Sequence, residues 1–483
     1  MNRHFHFMGI GGVSMQGLAR WYLDEGMRVS GCDASDGPAL AALRAAGVDV
    51  RVGHDPSHLD EDVDVLVTTM AVPRDHPEVV RARELGIEVR LRIELLADLF
   101  RRRDAIGITG THGKSTTTGM VAALMLAAGA DPSVQIGAAL PGLTGNMRHG
   151  GSRFLVAEVD ESDPGFADLT AYVAVVTNLE DDHVAGDFDE RRNYHASLAD
   201  LEHATRRYAE RAERVLYCAD WPGLDTLLGD HPRALRYGTA LDADYRVEAL
   251  ALRTGGAEFA LCLPDGRRAQ VQLGVPGVHN VMNAAAALAA VDLAGVDVVA
   301  AAPALADFRG VGRRWQIWGE PNGAQVVDDY AHHPTEVHAT LTAARATGRR
   351  VRAVLQPHRW VRTARHWPAL ADAAALADEV LVLDVYAAGE RAIAGVDVDR
   401  IVERVRAAGR HAERHTLASA TAYLAATLEA GDLIVTLGAG DVWRVAEGVV
   451  AAAAAAEATA AAGVATAEVA TANPAPERVD GGA

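Results

Sequence analysis

"GITGTHGKSTTTGM", residues 107–120, begins as a short apolar run, turns through Gly110 and Gly113, and continues as a segment of helical character. Strand, glycine turn and helix in that order make an anion site. Glycines let backbone N–H groups wrap a phosphate, and the helix N-terminus adds partial positive charge. Gly110, Thr111, His112, Gly113, Lys114, Ser115 and Thr116 thus form a shortened relative of the P-loop. Lys114 is expected to bring a point charge to the terminal phosphates of ATP, and the Ser115 hydroxyl to ligate Mg²⁺. Lys114 is also the only lysine among the chain's 46 basic residues. A planar guanidinium suits surface pairs but not a tight glycine loop that needs a slim stem, so lysine persists here.

Outward from this loop, the α/β alternation continues in both directions. Upstream, "HFHFMGI" (4–10), "GGVSMQGLARWYLDEG" (11–26), "RVSGCD" (28–33) and "ALAALRAAG" (39–47) read as strand, helix, strand, helix. Downstream, "FLVAEVDESD" (154–163) and "AVVTNLEDDH" (174–183) read as buried strands ending in polar clusters, where ligands of open α/β sheets gather. After "FRGVGRRWQIWG" (308–319) the alternation restarts and runs to "LIVTLGAGD" (433–441). The fold class is therefore α/β, in three domains. These are an N-terminal Rossmann-like domain over 1–99, a central P-loop ATPase-like parallel sheet over 100–312, and a C-terminal Rossmann-like domain over 313–450. The alanine-rich stretch 451–483, with Pro474 and Pro476, reads as a poorly ordered tail.

A length of 483 residues suits three cores. The formal charge of −19 disfavours nucleic acid as a partner, so an anionic ligand must be held by local donors. Neither a signal peptide nor a clean apolar span for membrane insertion is evident. Three cysteines, Cys32, Cys218 and Cys262, without a CxxC spacing, point to a reducing cytoplasm and away from a disulfide frame or a zinc site.

A phosphate loop calls for Mg²⁺, which prefers oxygen ligands. Glu158, Asp160, Glu161 and Asp163 follow one strand, and Asp181, Asp182 and His183 follow the next. In a parallel sheet both clusters meet the loop at one edge. Glu158 and His183 are the expected metal ligands beside Ser115, although solvated acidic loops would read the same way. The first glycine loop, Gly9, Gly11 and Gly12, has Ser14 where a dinucleotide fingerprint has glycine, which disfavours a nicotinamide enzyme.

Taken in order, these motifs resemble the Mur ligase family over about residues 4–445. "HFMGIGGVSMQGLA" (6–19) is similar to the family's uridine-diphosphate loop, which implies a UDP-sugar at Gly9, Gly11, Gly12 and Asp33. "GTHGKSTTT" (110–118) resembles its ATP loop, and "AEVDESD" and "VVTNLEDDH" its metal-binding strand ends. "GVHNVMNAAAA" (277–287) resembles its adenine segment, with His279, Asn280 and Asn283 at the matching positions. "GVGRRWQ", "VDDYAHHPTEV", "LQPHRWVRT", "DVYAAGE" and "GAGD" complete the series. They imply nucleotide contacts from Arg314 and Asp329, a catalytic part for His332 with His333 beside it, and an amino-acid site at His358, Arg359 and Arg362.

The branch most resembled joins L-alanine to the lactoyl carboxylate of UDP-N-acetylmuramate in peptidoglycan precursor synthesis. The implied route is an acyl phosphate made with ATP and Mg²⁺, with Lys114, His183 and His332 as catalytic residues. A ligase that recycles a ready-made tripeptide onto the same sugar nucleotide shares this chemistry, and a nucleotide-binding regulator without catalysis is the alternative of another class. The oligomeric state is left open. Later-acting relatives hold a second magnesium with a carbamoylated lysine, and this chain has no lysine beyond Lys114 for that part. It also departs from the family at Ser115, where threonine is usual, at Pro164 after the acidic cluster, at Ala185, where aspartate is common, and at Trp360, where tyrosine is common.

Overall fold

The computed structural model describes residues 3–142, 146–184 and 195–471, so Ala185 lies outside it. Three sheets occupy successive parts of the chain. The first has five parallel strands in the order Asp49–Val52, Arg28–Asp33, His4–Met8, Val65–Thr68, Glu88–Leu91. The order reverses about the strand that leads into Gly9, and such switch points open a crevice at the strand ends.

The second sheet has ten strands, and its centre sets the site. Strand Asp104–Thr109, which feeds the phosphate loop, lies between Phe154–Glu158 and Val173–Val176, parallel to both. Each is buried along nearly its whole length and made mostly of apolar residues, as central strands covered on two faces must be. Two antiparallel strands, Gly256–Cys262 and Arg268–Leu273, close one edge. Helix Lys114–Ala127 follows the loop with Met120, Val121, Leu124 and Met125 fully buried, each removing about 1.5–3 kcal/mol of apolar exposure. It lies against helix Val278–Leu293, whose run of alanines permits close approach.

Residues 1–314 form one compact unit and 315–483 another. Within the first, Trp21 packs edge-on to His149 with ring centroids 4.6 Å apart, and the Asn146 amide donates to the Val13 carbonyl. The second unit holds the third sheet, of six strands in the order Gln316–Gly319, Gln325–Asp329, Asp432–Leu437, Arg350–Leu355, Glu379–Val382, His411–Arg414. All its neighbours are parallel except the first pair.

One expectation is corrected. Helix Trp443–Thr471 carries the backbone well into the stretch read as a disordered tail, because its many alanines, with no proline among them, outweigh Gly463 and the few β-branched residues. Pro474 and Pro476 lie outside the described residues.

Candidate active site

The phosphate loop is shaped by two glycines in left-handed backbone. Gly110 has φ 125° and Gly113, the residue before the helix, has φ 84°. Space is equally restrictive, since a Cβ on Gly110 would lie 2.3 Å from Thr177 Oγ1 and one on Gly113 2.4 Å from Asn283 Oδ1. Past Gly113, the N–H groups of the first helical turn have no intrahelical acceptor, the condition for anion binding.

The next strand end braces the loop from behind. Asn178 Oδ1 accepts from the His112 N–H (2.7 Å), Asn178 Nδ2 donates to the His112 carbonyl (2.9 Å), and the Asn178 carbonyl accepts from the Thr111 N–H (3.3 Å). Thr177 Oγ1 donates to the same His112 carbonyl (2.7 Å), and the Glu180 N–H donates to Thr111 Oγ1 (2.8 Å). His112 Nε2 lies 2.7 Å from Glu180 Oε2. Thr111 and His112 therefore turn their amides toward this brace, which leaves the first turn of the helix as the anion-facing part. Thr177, Asn178 and Glu180 went unnamed in the sequence reading because hydrogen bonds from one loop to another have no sequence period.

The Lys114 side chain, 14% exposed, folds back over the loop. Its ammonium donates to the carbonyls of Gly110 (2.6 Å) and Thr111 (3.1 Å) and lies 2.7 Å from Glu161 Oε2. Burial pulls its pKa down, but the carboxylates of Glu161, Asp160 and Glu158 outweigh that and hold the ammonium above its ordinary value. It stays charged at neutral pH.

Both expected acidic clusters reach this edge. Glu158 is pushed above the usual carboxylate range by burial, against the pull of Lys114, the Gly137 N–H at 2.7 Å and the Ser115 hydroxyl. Burial also raises Asp160, but Arg92, His183 and Lys114 prevail and leave it below its ordinary value. Asp163 is raised by burial in spite of Arg92, whose Nη2 is 3.3 Å from Asp163 Oδ2. His183 has φ 61°, and its Nε2 lies 3.5 Å from Asp182 Oδ2 and 3.8 Å from Glu161 Oε1. Ser115 and Glu158 thus meet directly, whereas His183 approaches Asp182 and Glu161. Asp181 is exposed.

Asn283 and Asn280 line the same helix N-terminus. Thr117 Oγ1 donates to Asn283 Oδ1 (3.3 Å), Asn283 Nδ2 to Asn280 Oδ1 (3.2 Å), and Asn280 Nδ2 to the Pro276 carbonyl (2.7 Å). His279 is half-buried in that turn, Thr116 is buried, and Arg314 is half-buried at the end of this unit, with its N–H on the Val311 carbonyl. In the N-terminal sheet, Gly9 takes φ 68°, the Gly12 N–H donates to its carbonyl (3.0 Å), and Asp33 Oδ2 accepts from the Gly11 N–H (2.9 Å). Asp33 thereby fixes the loop it was expected to share with a nucleotide.

The second unit gathers the remaining candidates. Asp329 is buried and accepts from the N–H groups of Trp315 (2.8 Å) and Ala331 (2.9 Å). Glu336 accepts from the N–H groups of His332 (3.1 Å) and His333 (3.3 Å), so the histidine pair with Pro334 forms the start of helix Pro334–Arg345. His332 Nδ1 is 2.9 Å from the Tyr330 carbonyl, and its ring meets His358 edge-on at 5.5 Å. His358 stacks on Tyr386, and Arg362 Nη1 reaches His358 Nδ1 at 3.0 Å. Arg359, with φ 70° at the start of helix Trp360–Ala374, pairs through Nε with the buried carboxylate of Glu390, which also accepts from the Val361 N–H (3.0 Å). Glu390 closes the "DVYAAGE" stretch, yet its tie to Arg359 is long-range and left no signal in spacing.

Comparison with known proteins identifies the family. The chain matches the Mur ligase family catalytic domain over residues 4–104, the Mur ligase middle domain over 108–291, and the Mur ligase glutamate ligase domain over 313–440. The chain belongs to the Mur ligase family. Among Mur ligases, it is 47% identical to the UDP-N-acetylmuramate–L-alanine ligase of Deinococcus radiodurans, over 93% of this chain and 94% of that one. It is 43% identical to the enzyme of the same name from Acidothermus cellulolyticus, over 90% and 91%. The crystal structure of UDP-N-acetylmuramate–alanine ligase from Thermotoga maritima superposes with a TM-score of 0.77 at 28% identity, covering 92% of this chain and 98% of that one. The three-domain Mur ligase fold expected from the motifs is the fold observed.

Proposed function

We propose that this Mur ligase uses ATP to join L-alanine to the lactoyl carboxylate of UDP-N-acetylmuramate, in the synthesis of peptidoglycan precursors. The observation that carries the reading is the charged Lys114 ammonium held over the glycine loop between two acidic strand ends. Support for the acceptor comes from relatives named for L-alanine addition at up to 47% identity. The domains are taken as residues 1–99 for the UDP-sugar, 100–312 for ATP and 313–450 for the amino acid. The reading places the enzyme in the cytoplasm. No described helix is long and apolar enough to cross a membrane.

In the first step a lactoyl carboxylate oxygen attacks the γ-phosphorus of ATP, and ADP leaves. In the second, the alanine amine adds to the acyl phosphate carbon, loses a proton, and phosphate departs to leave the amide. Both steps concentrate negative charge on phosphoryl and carbonyl oxygens, so fixed cations and positioning matter more than a protein nucleophile. Lys114 supplies the fixed cation. The first-turn N–H groups from Lys114 to Thr116 orient the phosphates, and Asn280 and Asn283 position the base and the loop. His279, Arg314 and Asp329 are assigned to the nucleotide. Gly9, Gly11, Gly12 and Asp33 are assigned to the UDP moiety. His358, Arg359 and Arg362 are assigned to the amino-acid carboxylate, which forked hydrogen bonds suit.

The residues present fit Mg²⁺. Glu158 is a half-buried carboxylate raised by desolvation, next to the Ser115 hydroxyl, so hard oxygen donors converge where positive charge is deficient. Ser115, Glu158 and His183 are assigned to it. When bound, the cation screens phosphate charge.

The test is phosphate release with ATP, Mg²⁺ and UDP-N-acetylmuramate, comparing L-alanine, L-serine, glycine and the stem tripeptide. Release with L-alanine is expected. Release only with the tripeptide would select the recycling reaction, and none with any acceptor would leave a non-catalytic nucleotide binder.

A further inference from the structure

The N-terminal sheet carries a second concentration of ligand-type side chains, apart from the phosphate loop. Strands His4–Met8 and Arg28–Asp33 pair with His6 opposite Ser30 and Met8 opposite Cys32. Alternation sends Phe5, Phe7 and Val29 into one core and leaves His6, Met8, Ser30 and Cys32 on the opposite face. Helix Pro77–Glu84 covers that face, and Glu78 in its first turn is 0% exposed.

A carboxylate buried this deeply must be paired. Glu78 Oε1 lies 3.2 Å from Cys32 Sγ and 3.4 Å from His58 Nδ1, and Glu78 Oε2 lies 3.2 Å from His54 Nδ1 and 3.9 Å from His76 Nδ1. Cys32 Sγ is 3.3 Å from His54 Nδ1. A ring nitrogen of His6 joins Cys32 and Glu78 in a group whose ligand atoms all lie within 4.8 Å of one another. His6 is 2% exposed, and while its Nδ1 bonds Ser30 Oγ at 2.9 Å, its buried Nε2 has no hydrogen-bond partner among the described residues.

Hydrogen bonding alone does not account for this set. The Cys32 thiol, a His54 ring nitrogen and the Asp55 N–H at 3.2 Å satisfy Glu78, but two buried ring nitrogens beside it, His6 Nε2 and His58 Nδ1, have no hydrogen-bond partner among the described residues. Tetrahedral zinc, with bonds of about 2.0–2.3 Å, holds its ligand atoms about 3.3–3.8 Å apart. The contacts of 3.2–3.3 Å among Cys32, His54 and Glu78 are close to those edges, and the His6 ring nitrogen is within 4.8 Å of the Cys32 and Glu78 ligand atoms. A thiolate with imidazoles selects zinc-class ions over magnesium.

We propose that Cys32, His54, Glu78 and His6 bind one transition-metal ion of the Zn²⁺ class, with His58 and His76 as flanking imidazoles. Binding requires the Cys32 thiolate, so the thiol proton is released to solvent as the metal–sulfur bond forms. The residue after Cys32 is Asp33, whose carboxylate holds the Gly11 N–H of the first glycine loop at 2.9 Å. The ion would therefore anchor the strand end on which that loop rests.

Cobalt(II) added to the chelator-treated full-length protein tests this, read by absorption, with metal content measured after gel filtration in excess Mg²⁺. One ion per chain is expected, with a thiolate-to-cobalt charge-transfer band in the near ultraviolet and tetrahedral ligand-field bands in the visible. An ion at the acidic phosphate-loop site gives no thiolate band. Cys32→Ser is expected to abolish the band and weaken Zn²⁺ binding by about 100-fold or more, and His54→Ala to alter the visible bands while keeping the thiolate band. The wild-type spectrum is decisive even if a variant fails to fold. No thiolate band in the wild-type protein, as a plain carboxylate and imidazole network would give, or a band that survives in Cys32→Ser, would overturn the proposal.

Discussion

Replacing Lys114 by arginine keeps the charge and changes only its shape, and so isolates the geometry of the loop. The ammonium meets three acceptors at 2.6, 3.1 and 2.7 Å, the Gly110 and Thr111 carbonyls and Glu161 Oε2, in a pocket that leaves the side chain 14% exposed. A planar fork cannot aim its N–H groups at acceptors converging from three directions, and its added bulk costs about 1–3 kcal/mol of overpacking. If the displaced charge forfeits two charge-assisted contacts to the transferring phosphoryl group, at about 1.5–3 kcal/mol each, the barrier rises by about 3–6 kcal/mol. That is a fall in kcat of about two to four orders of magnitude. Phosphate release under saturating substrates measures it, with ADP affinity and thermal unfolding of the same variant reporting on the fold. Turnover within about threefold of wild type, with an unchanged Tm, would refute the argument that a slim ammonium is required.

Asn178→Ala removes the brace behind His112 and leaves a backbone donor and acceptor to find other partners; kcat is expected to fall about tenfold or more, with KM for UDP-N-acetylmuramate unchanged. Arg359→Lys keeps a charge opposite Glu390 but loses the fork; KM for L-alanine is expected to rise by about 10- to 100-fold while KM for ATP holds, as steady-state kinetics will show. Glu158→Gln removes the half-buried carboxylate that desolvation raises. In the wild-type protein that group takes up a proton on folding, so without a cation its ionisation lowers stability as pH rises from about 4.5 through its raised value, and stabilisation by Mg²⁺ with ADP should grow over that range. The glutamine variant should show no such growth in Tm. Glu379 has the opposite sign. Burial raises it, but Tyr423, Arg352 and Arg350 hold it below its usual 4.5, so its contribution is present above 4.5 and is lost as pH falls through the lowered value. Glu379→Gln should flatten that acid limb of the unfolding curve and cost about 3–5 kcal/mol at neutral pH, because Arg352, 1% exposed, loses the carboxylate 2.5 Å from its Nε.

The parts of the site legible in the sequence are those that obey a local rule. Gly110, Gly113 and Lys114 had to follow a strand and precede a helix, and they do, because left-handed backbone and a helix N-terminus are properties of consecutive residues. The acidic clusters were legible as strand ends, and parallel pairing of Asp104–Thr109 with both neighbours brings them to the loop. Asn178, Gly137, Arg92 and Glu390 were not legible. Each acts on a residue tens of positions away, through hydrogen bonds or ion pairs that only the tertiary fold creates. The helix over 451–471 was misread for a different reason, since prolines farther along were given weight over an alanine-rich stretch that itself has no proline.

The lone lysine and the acidic edge are two sides of one electrostatic arrangement. Glu158, Asp160, Glu161 and Asp163 crowd one strand end, and among the described residues Lys114 and Arg92 are the Lys and Arg side chains facing them. Counting these six side chains alone, four ionised carboxylates against two cations leave a deficit of two positive charges. Burial, aided by the neighbouring Asp160 carboxylate, raises Glu158 and Asp163, and one divalent cation would relieve the deficit. A second lysine at this edge would cancel half of that deficit and weaken the attraction for the cation that phosphate transfer calls for. A chain that uses arginine nearly everywhere has kept its single ammonium where its slim shape is needed. It leaves the remaining charge to be balanced by an ion that can arrive and leave with the nucleotide.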